Sequence, residues 1–137
     1  KDRIKDNIMR DYVELWLRQS LEDLETAKVL LNNNKYYASA FYSHQAAEKC
    51  LEALLLYFGK DVKTHDLNKM LDIIKEEVNL NVEEIRKEAL KLNPNYTISR
   101  YPDAANSLPY LLYDKKDAEE YLKMAERIIN WAKKFIK

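Results

Sequence analysis

One glycine and three prolines in 137 residues leave this chain almost no turn chemistry. Sheets need a turn every few residues, and turns draw heavily on Gly and Pro. The expectation is an all-α fold, and hydrophobic spacing agrees. Val13, Leu17, Leu21, Leu24, Ala27 and Leu31 step by three or four along one helix face. The run NNN at 32–34 ends that helix, because asparagine prefers turns and caps. A second helix runs from Tyr36 to Gly59, the sole glycine, which suits a left-handed C-terminal cap.

Leu67, Met70, Leu71, Ile74 and Val78 mark a third, shorter helix. Asn81 with Glu84 reads as an N-cap and its reciprocal partner, opening a fourth whose buried side is Val82, Ile85, Ala89 and Leu92. Asp114 caps the last, with Ala118, Tyr121, Leu122, Ala125, Ile128, Ile129, Ala132 and Phe135 in step. Lys133, Lys134 and Lys137 favour its C-terminal dipole. The predicted architecture is an up-and-down bundle of about five helices. All three prolines (Pro94, Pro102, Pro109) fall in NPNYTISRYPDAANSLPYLLY, which also holds four of the ten tyrosines. This long loop before the last helix reads either as a functional segment or as an aromatic lid on the bundle.

Lys+Arg and Asp+Glu number 23 each, for a net charge of zero, so a global basic footprint for nucleic acid is absent and only a local patch is open. The single cysteine, Cys50, excludes an internal disulfide and fits a reducing, cytoplasmic setting. The opening KDRIKDNIMRDYVELW is charged throughout, unlike a secretory leader. The apolar run ALLLYF falls far short of the ~20 residues that span a bilayer, so no membrane association is expected. No metal or cofactor is expected either. Neither His44 nor His65 has a glutamate three residues before it, as a di-iron bundle requires. No Gly-rich phosphate loop or nucleophile elbow is present.

The chemistry is concentrated in three places. In SHQAAEKC, His44 and Glu48 share a helix face, as do Gln45 and Lys49. The bland alternative is two ordinary i,i+4 pairs on a solvated face, but small apolar neighbours point His44 and Gln45 to a buried or interfacial role. In THDL, Thr64 or Asp66 serves as an N-cap, and His65 could face a cleft beside free backbone N–H groups that favour an anion. In SRYPD, Arg100 offers a planar fork for phosphate or carboxylate and Tyr101 a ring that could stack on a base. Arg100 could equally be a structural clamp.

Together, YYASAFYSHQAAEKCLEALLLYFG, then THDL, then a proline-rich loop with RYPD resemble the HEPN domain family. The match runs from LEDLETAKVLL through the final helix, implying one helical domain over 1–137. The resemblance implies a bundle that commonly forms homodimers and is often encoded beside, or fused to, a small nucleotidyltransferase. It also implies nucleotide binding or, in many members, metal-independent ribonuclease activity as toxins. Those ribonucleases carry an arginine followed after four to six intervening residues by histidine, with histidine as general acid or base and arginine neutralising charge on phosphorus. Here the positions after Arg100 at that spacing are Ala105, Asn106 and Ser107. The polar set that carries over is Gln45, Glu48, Lys49, His65, Asp66, Arg100 and Tyr101, with His44, His65 and Arg100 the only candidates for catalysis.

Three functions follow as expectations. The first is a non-catalytic module that binds a nucleotide or partners a nucleotidyltransferase in a toxin–antitoxin-like pair. The second is a ribonuclease in which His44 or His65 reaches Arg100 through folding or across a dimer, on an RNA ligand. The third is a scaffold using Trp16, Phe41, Tyr42, Tyr57 and Trp131 as anchors for a protein, with a homodimer through the first or second helix.

Overall fold

The computed structural model describes the backbone from Arg3 and side-chain surroundings from Asn7 through Lys137. The elements are α1 (Arg3–Asn32), α2 (Tyr36–Tyr57), α3 (Leu67–Ile73), α4 (Glu83–Leu92), α5 (Asn95–Ile98), α6 (Pro102–Ala105), α7 (Pro109–Leu112) and α8 (Lys115–Lys133). A single π-helical turn, Ile74–Val78, extends α3 and ends at Asn79 in the left-handed region. There is no strand among the described residues. The all-α bundle expected from the spacing is what forms.

The centre of the bundle is α2. It lies along α1 on one side and α8 on another, and α3, α5 and α7 touch it as well. Leu51, Leu54 and Leu55 of α2 meet Leu67, Met70 and Leu71 of α3, Ile85 and Leu92 of α4, and Ile128 and Ile129 of α8 in one core. A fully buried side chain of that kind contributes roughly 1.5–3 kcal/mol. Cys50 lies in this core, where burial pushes its thiol up to about 12.

The ends of α1 and α2 share one solution. Asn34 (φ 65°) and Gly59 (φ 78°) each adopt the left-handed conformation. Lys35 N–H then donates to Leu30 O and Lys60 N–H to Leu55 O, both at 2.8 Å, which satisfies carbonyls the helix leaves open. At α8, Asp114 accepts from the backbone of Asp117 at 2.7 Å and Asp117 returns the bond at 3.1 Å, a reciprocal cap.

Some local expectations change. Asn81 accepts from Glu83 N–H at 3.0 Å, and α4 has no side-chain cap bond of the expected reciprocal kind. Val82, which is fully buried, sits at the cap position instead, so core packing rather than capping sets where α4 begins. Leu21 and Phe58 are exposed, because α1 turns a narrow strip toward α2 and Phe58 lies at the C-cap of α2. The proline-rich segment is three single helical turns rather than a structureless loop. Pro102 and Pro109 occupy first helical positions, where a missing N–H costs nothing and φ is already correct. Of the expected aromatic anchors, Trp131 is buried and Trp16, Phe41, Tyr42 and Tyr57 are half-buried. No helix among the described residues is long and apolar enough to cross a membrane.

Candidate functional site

The polar head of α2 is held against α1 by hydrogen bonds that small residues permit. Ala27, Ala40, Ala46 and Ala47 are fully buried, so the two backbones approach closely. Ser20 Oγ donates to Ala46 O at 2.6 Å and Ser39 Oγ to Ala27 O at 2.8 Å. Lys49 reaches across to Asp23 on α1 in a short ion pair, and Gln19 Nε2 donates to the other Asp23 oxygen at 2.9 Å. Lys49 is therefore engaged with α1, and Gln45 turns to His44 rather than to Lys49.

His44 is completely buried. Its Nε2–H donates to the backbone O of His65 at 3.0 Å, tying α2 to the segment that starts α3. Burial pushes its pKa down to about 4, so the ring is neutral. With Nε2 protonated, Nδ1 is an acceptor. Gln45 Oε1 lies 3.2 Å from it, and an acceptor Nδ1 requires the amide turned over so that its NH2 end donates. Next to it, His65 Nδ1 lies 3.1 and 3.2 Å from the two oxygens of Glu48. Burial raises the Glu48 pKa, against the opposing pull of the His65 hydrogen bond. While Glu48 is ionised it only accepts, so Nδ1 carries a hydrogen toward it, and Nε2 lies at the other edge of a ring whose side chain is 55 % exposed.

Tyr96 of α5 joins these groups to Arg100. His65 stacks on the Tyr96 ring at 4.0 Å, with planes 15° apart, and His44 lies 5.5 Å from the same ring. The Arg100 guanidinium lies 4.4 Å from the Tyr96 centroid, 4.6 Å from Phe41 and 4.7 Å from Tyr101. Its Nε–H donates to Tyr96 O at 2.7 Å. His65 and Arg100, 35 positions apart in the chain, are thus no farther from each other than those two ring distances combined. Tyr101 itself is exposed, with its ring beside the guanidinium.

On its other side Arg100 lines a cleft of about 430 Å³ with Lys35, Tyr36, Tyr37 and Tyr110. Two cations and three phenol rings make it suited to an anionic, ring-bearing ligand. The start of α3 is already satisfied. Asp66 accepts from Lys69 N–H at 3.1 Å and from Asn93 Nδ2 at 2.8 Å, while Asn93 Oδ1 accepts from Leu67 N–H at 2.9 Å. Although burial pulls the other way, the bonds from Asn93 and from the α3 backbone hold Asp66 below its usual pKa. The free N–H groups expected beside His65 are thus taken for Leu67 and Lys69, and Asp66 is a structural cap.

The model of the HEPN domain matches residues 13–135. This chain belongs to the HEPN family. Its relative in Methanocaldococcus jannaschii, named "Putative toxin MJ1304", is 33% identical over 138 residues, covering 92% of this chain and 89% of that protein. The HEPN fold also superposes on the crystal structure of TT1696 from Thermus thermophilus, with a TM-score of 0.83 and 30% identity over 89% of this chain and 96% of the other. ST0689, an archaeal HEPN homologue, gives 0.77 and 36% identity over 91% and 98%.

Among the HEPN residues singled out in the sequence, His44, Gln45, Glu48 and His65 come together, and Arg100 joins them through Tyr96. Lys49 and Asp66 point to structural partners. Tyr96, Asp23, Asn93 and Lys35 were missed. Tyr96 carried one usable signal, its position four residues before Arg100, the same spacing that pairs His44 with Glu48. Asp23, Asn93 and Lys35 carried none, because ordinary polar residues acquire their partners only through folding.

Proposed function

We propose that this HEPN chain is a binding module for a phosphate-bearing ligand, a nucleotide or an RNA, and acts as one member of a toxin–antitoxin-like pair with a nucleotidyltransferase. The observation that carries the ligand reading is the Arg100 guanidinium, fixed by three aromatic rings and the Tyr96 carbonyl at the edge of a cleft that also holds Lys35. A guanidinium held this way loses little freedom on meeting a phosphate, and Tyr36, Tyr37 and Tyr110 provide faces for a base. The relative named as a toxin supports the paired setting. We further propose a homodimer through α1, supported by Ile8, Tyr12 and Leu15, which lie in one row and are 48, 52 and 57 % exposed.

The test is calorimetric titration with AMP, ATP and short RNAs. Saturable binding that Arg100→Ala and Lys35→Ala each weaken about tenfold is the expected result, consistent with a charge-assisted bond of roughly 1.4 kcal/mol. No saturation at millimolar nucleotide or micromolar RNA contradicts it.

One observation favours a second reading, RNA cleavage without metal. Glu48 fixes the Nδ1 edge of an exposed histidine, and in the neutral ring Nε2 would be available as a base; Arg100 lies across the same tyrosine. Those are the two roles phosphodiester cleavage needs. Cleavage of labelled RNA in EDTA, lost in both His65→Ala and Arg100→Ala, would make the chain an enzyme. Intact RNA across several sequences leaves the binding module.

A further inference from the structure

A second cavity, of about 300 Å³, opens where α1 passes the turn between α2 and α3. Trp16, Val62 and Met70 form its apolar wall, and Glu48, Glu52 and His65 its polar side. The side chain that stands out is Glu52. It is only 4 % exposed, and neither of its carboxylate oxygens has a hydrogen-bond partner. An unpartnered buried carboxylate is costly, and among the described residues the charge acting on it most strongly, Asp61, is itself acidic and gives no relief. Glu48 is already bonded to His65, and Lys63, the cation in the wall, pairs with Asp61 at 3.3 Å and is 80 % exposed.

We propose that this cavity receives the guanidinium of an arginine side chain from a protein partner. Two adjacent oxygens without a hydrogen bond, both closed to solvent until the Glu52 side chain turns into the cavity, match the paired N–H groups of that planar fork, and the Trp16 ring gives it a face to lie against. An ammonium group is a compact point charge that fits the apolar wall less well. No group of three His, Cys, Asp or Glu among the described residues converges to hold a metal ion. A guanine edge carries a similar pair of donors, but its phosphate would approach Glu48, Glu52 and Asp61, which repel it. Burial first, and then Asp61, push the Glu52 carboxyl up to about 7, so a cation that enters the cavity displaces a proton. This site is separate from the Arg100 cleft and does not depend on the phosphate reading.

The experiment is a carbon NMR titration of the full chain labelled at glutamate Cδ, with Glu52 assigned by its disappearance in Glu52→Gln. N-acetyl-arginine amide, N-acetyl-lysine amide, sodium chloride and GMP are added in turn. The expected result is a saturable shift of the Glu52 signal with the arginine amide in the millimolar range, at least tenfold weaker with the lysine amide. Amide signals of Val62 and Met70 follow the same curve, and lose the response in Glu52→Gln. An unsaturated drift equal to that in sodium chloride overturns the proposal as charge screening. A Glu52 signal that saturates with GMP and not with the arginine amide overturns it in favour of a base. Where the variant folds poorly, the wild-type amide signals of Val62 and Met70 decide the matter: no saturable arginine-selective shift in them overturns the proposal.

Discussion

His65 lies flat on Tyr96, ring centroids 4.0 Å apart and planes 15° from parallel, while Arg100 sits 4.4 Å from that same ring. One tyrosine on a single helical turn therefore organises two functional candidates that the chain carries far apart. Replacing it tests that organisation. Tyr96→Leu is expected to lose about 1–2 kcal/mol of stability from the stacking and cation–π contacts, read by urea unfolding. The ring-current shift of the His65 protons should vanish in the same variant. Tyr96→Phe keeps the ring and should retain both. An unchanged His65 spectrum in Tyr96→Leu would mean the stack contributes nothing.

The pH dependence of stability has two opposing sources. His44 has a folded pKa of about 4 against an ordinary 6.5, so the unfolded chain takes up its proton first and stability falls as pH drops from about 6.5 to about 4. Glu52 is held at about 7 against 4.5, so the folded chain keeps its proton and stability falls as pH rises from about 4.5 to about 7. Glu48, also raised by burial, acts in the direction of Glu52. Between pH 4.5 and 6.5 the contributions of His44 and Glu52 offset each other. Glu52→Gln removes one of them, and its stability should rise relative to wild type by roughly 2–3 kcal/mol between pH 4.5 and 7.5. Parallel urea midpoints for the two proteins across that range would rule this out.

The Lys49–Asp23 pair joins α2 to α1, with the Asp23 side chain only 5 % exposed. Lys49→Met leaves a buried carboxylate with Gln19 alone, and a loss of about 3 kcal/mol is expected. The double variant Asp23→Leu/Lys49→Met should recover most of it, because no charge is then stranded. A denaturant double-mutant cycle measures the coupling, and simple additivity would show that the pair is not coupled.

Gly59 presents a pure backbone problem. Among the described residues, no atom beyond its chain neighbours lies within 4 Å of a Cβ built there, so Gly59→Ala should cost only the left-handed strain of about 1–2 kcal/mol. Gly59→Asn should cost less, since Asn34 already holds φ 65° at the equivalent end of α1. Thermal melts of the two variants test the order, and an Asn variant less stable than the Ala variant would reverse it.

The helical bundle was legible because its information is local. A chain with one glycine cannot supply the turns of a sheet, and a 3.6-residue period appears wherever one face of a helix is buried. Val82, Ile85, Ala89 and Leu92 were all readable in this way and all are buried. So were the left-handed cap at Gly59 and the cap at Asp114, though not the return bond from Asp117. The start of α4 was misread because the packing of Val82 outweighed the capping preference of Asn81, and the proline segment because single helical turns are too short to show a period.

The candidate site was half legible. His44, Glu48 and His65 stood out as polar residues beside small apolar ones or at a helix start, and local sequence determined that the first two would sit on α2 and His65 just before α3. Their partners lay outside sequence reach. Nothing in the spacing joins His44 to the carbonyl of His65, Lys49 to Asp23, or Tyr96 to both His65 and Arg100. Nor does it reveal that Glu52 is left without a partner. Helix period and capping depend on neighbours a few residues away, so the sequence determined the elements. Pairing between distant polar groups depends on which helix faces meet when the core closes, and only the tertiary structure decided that.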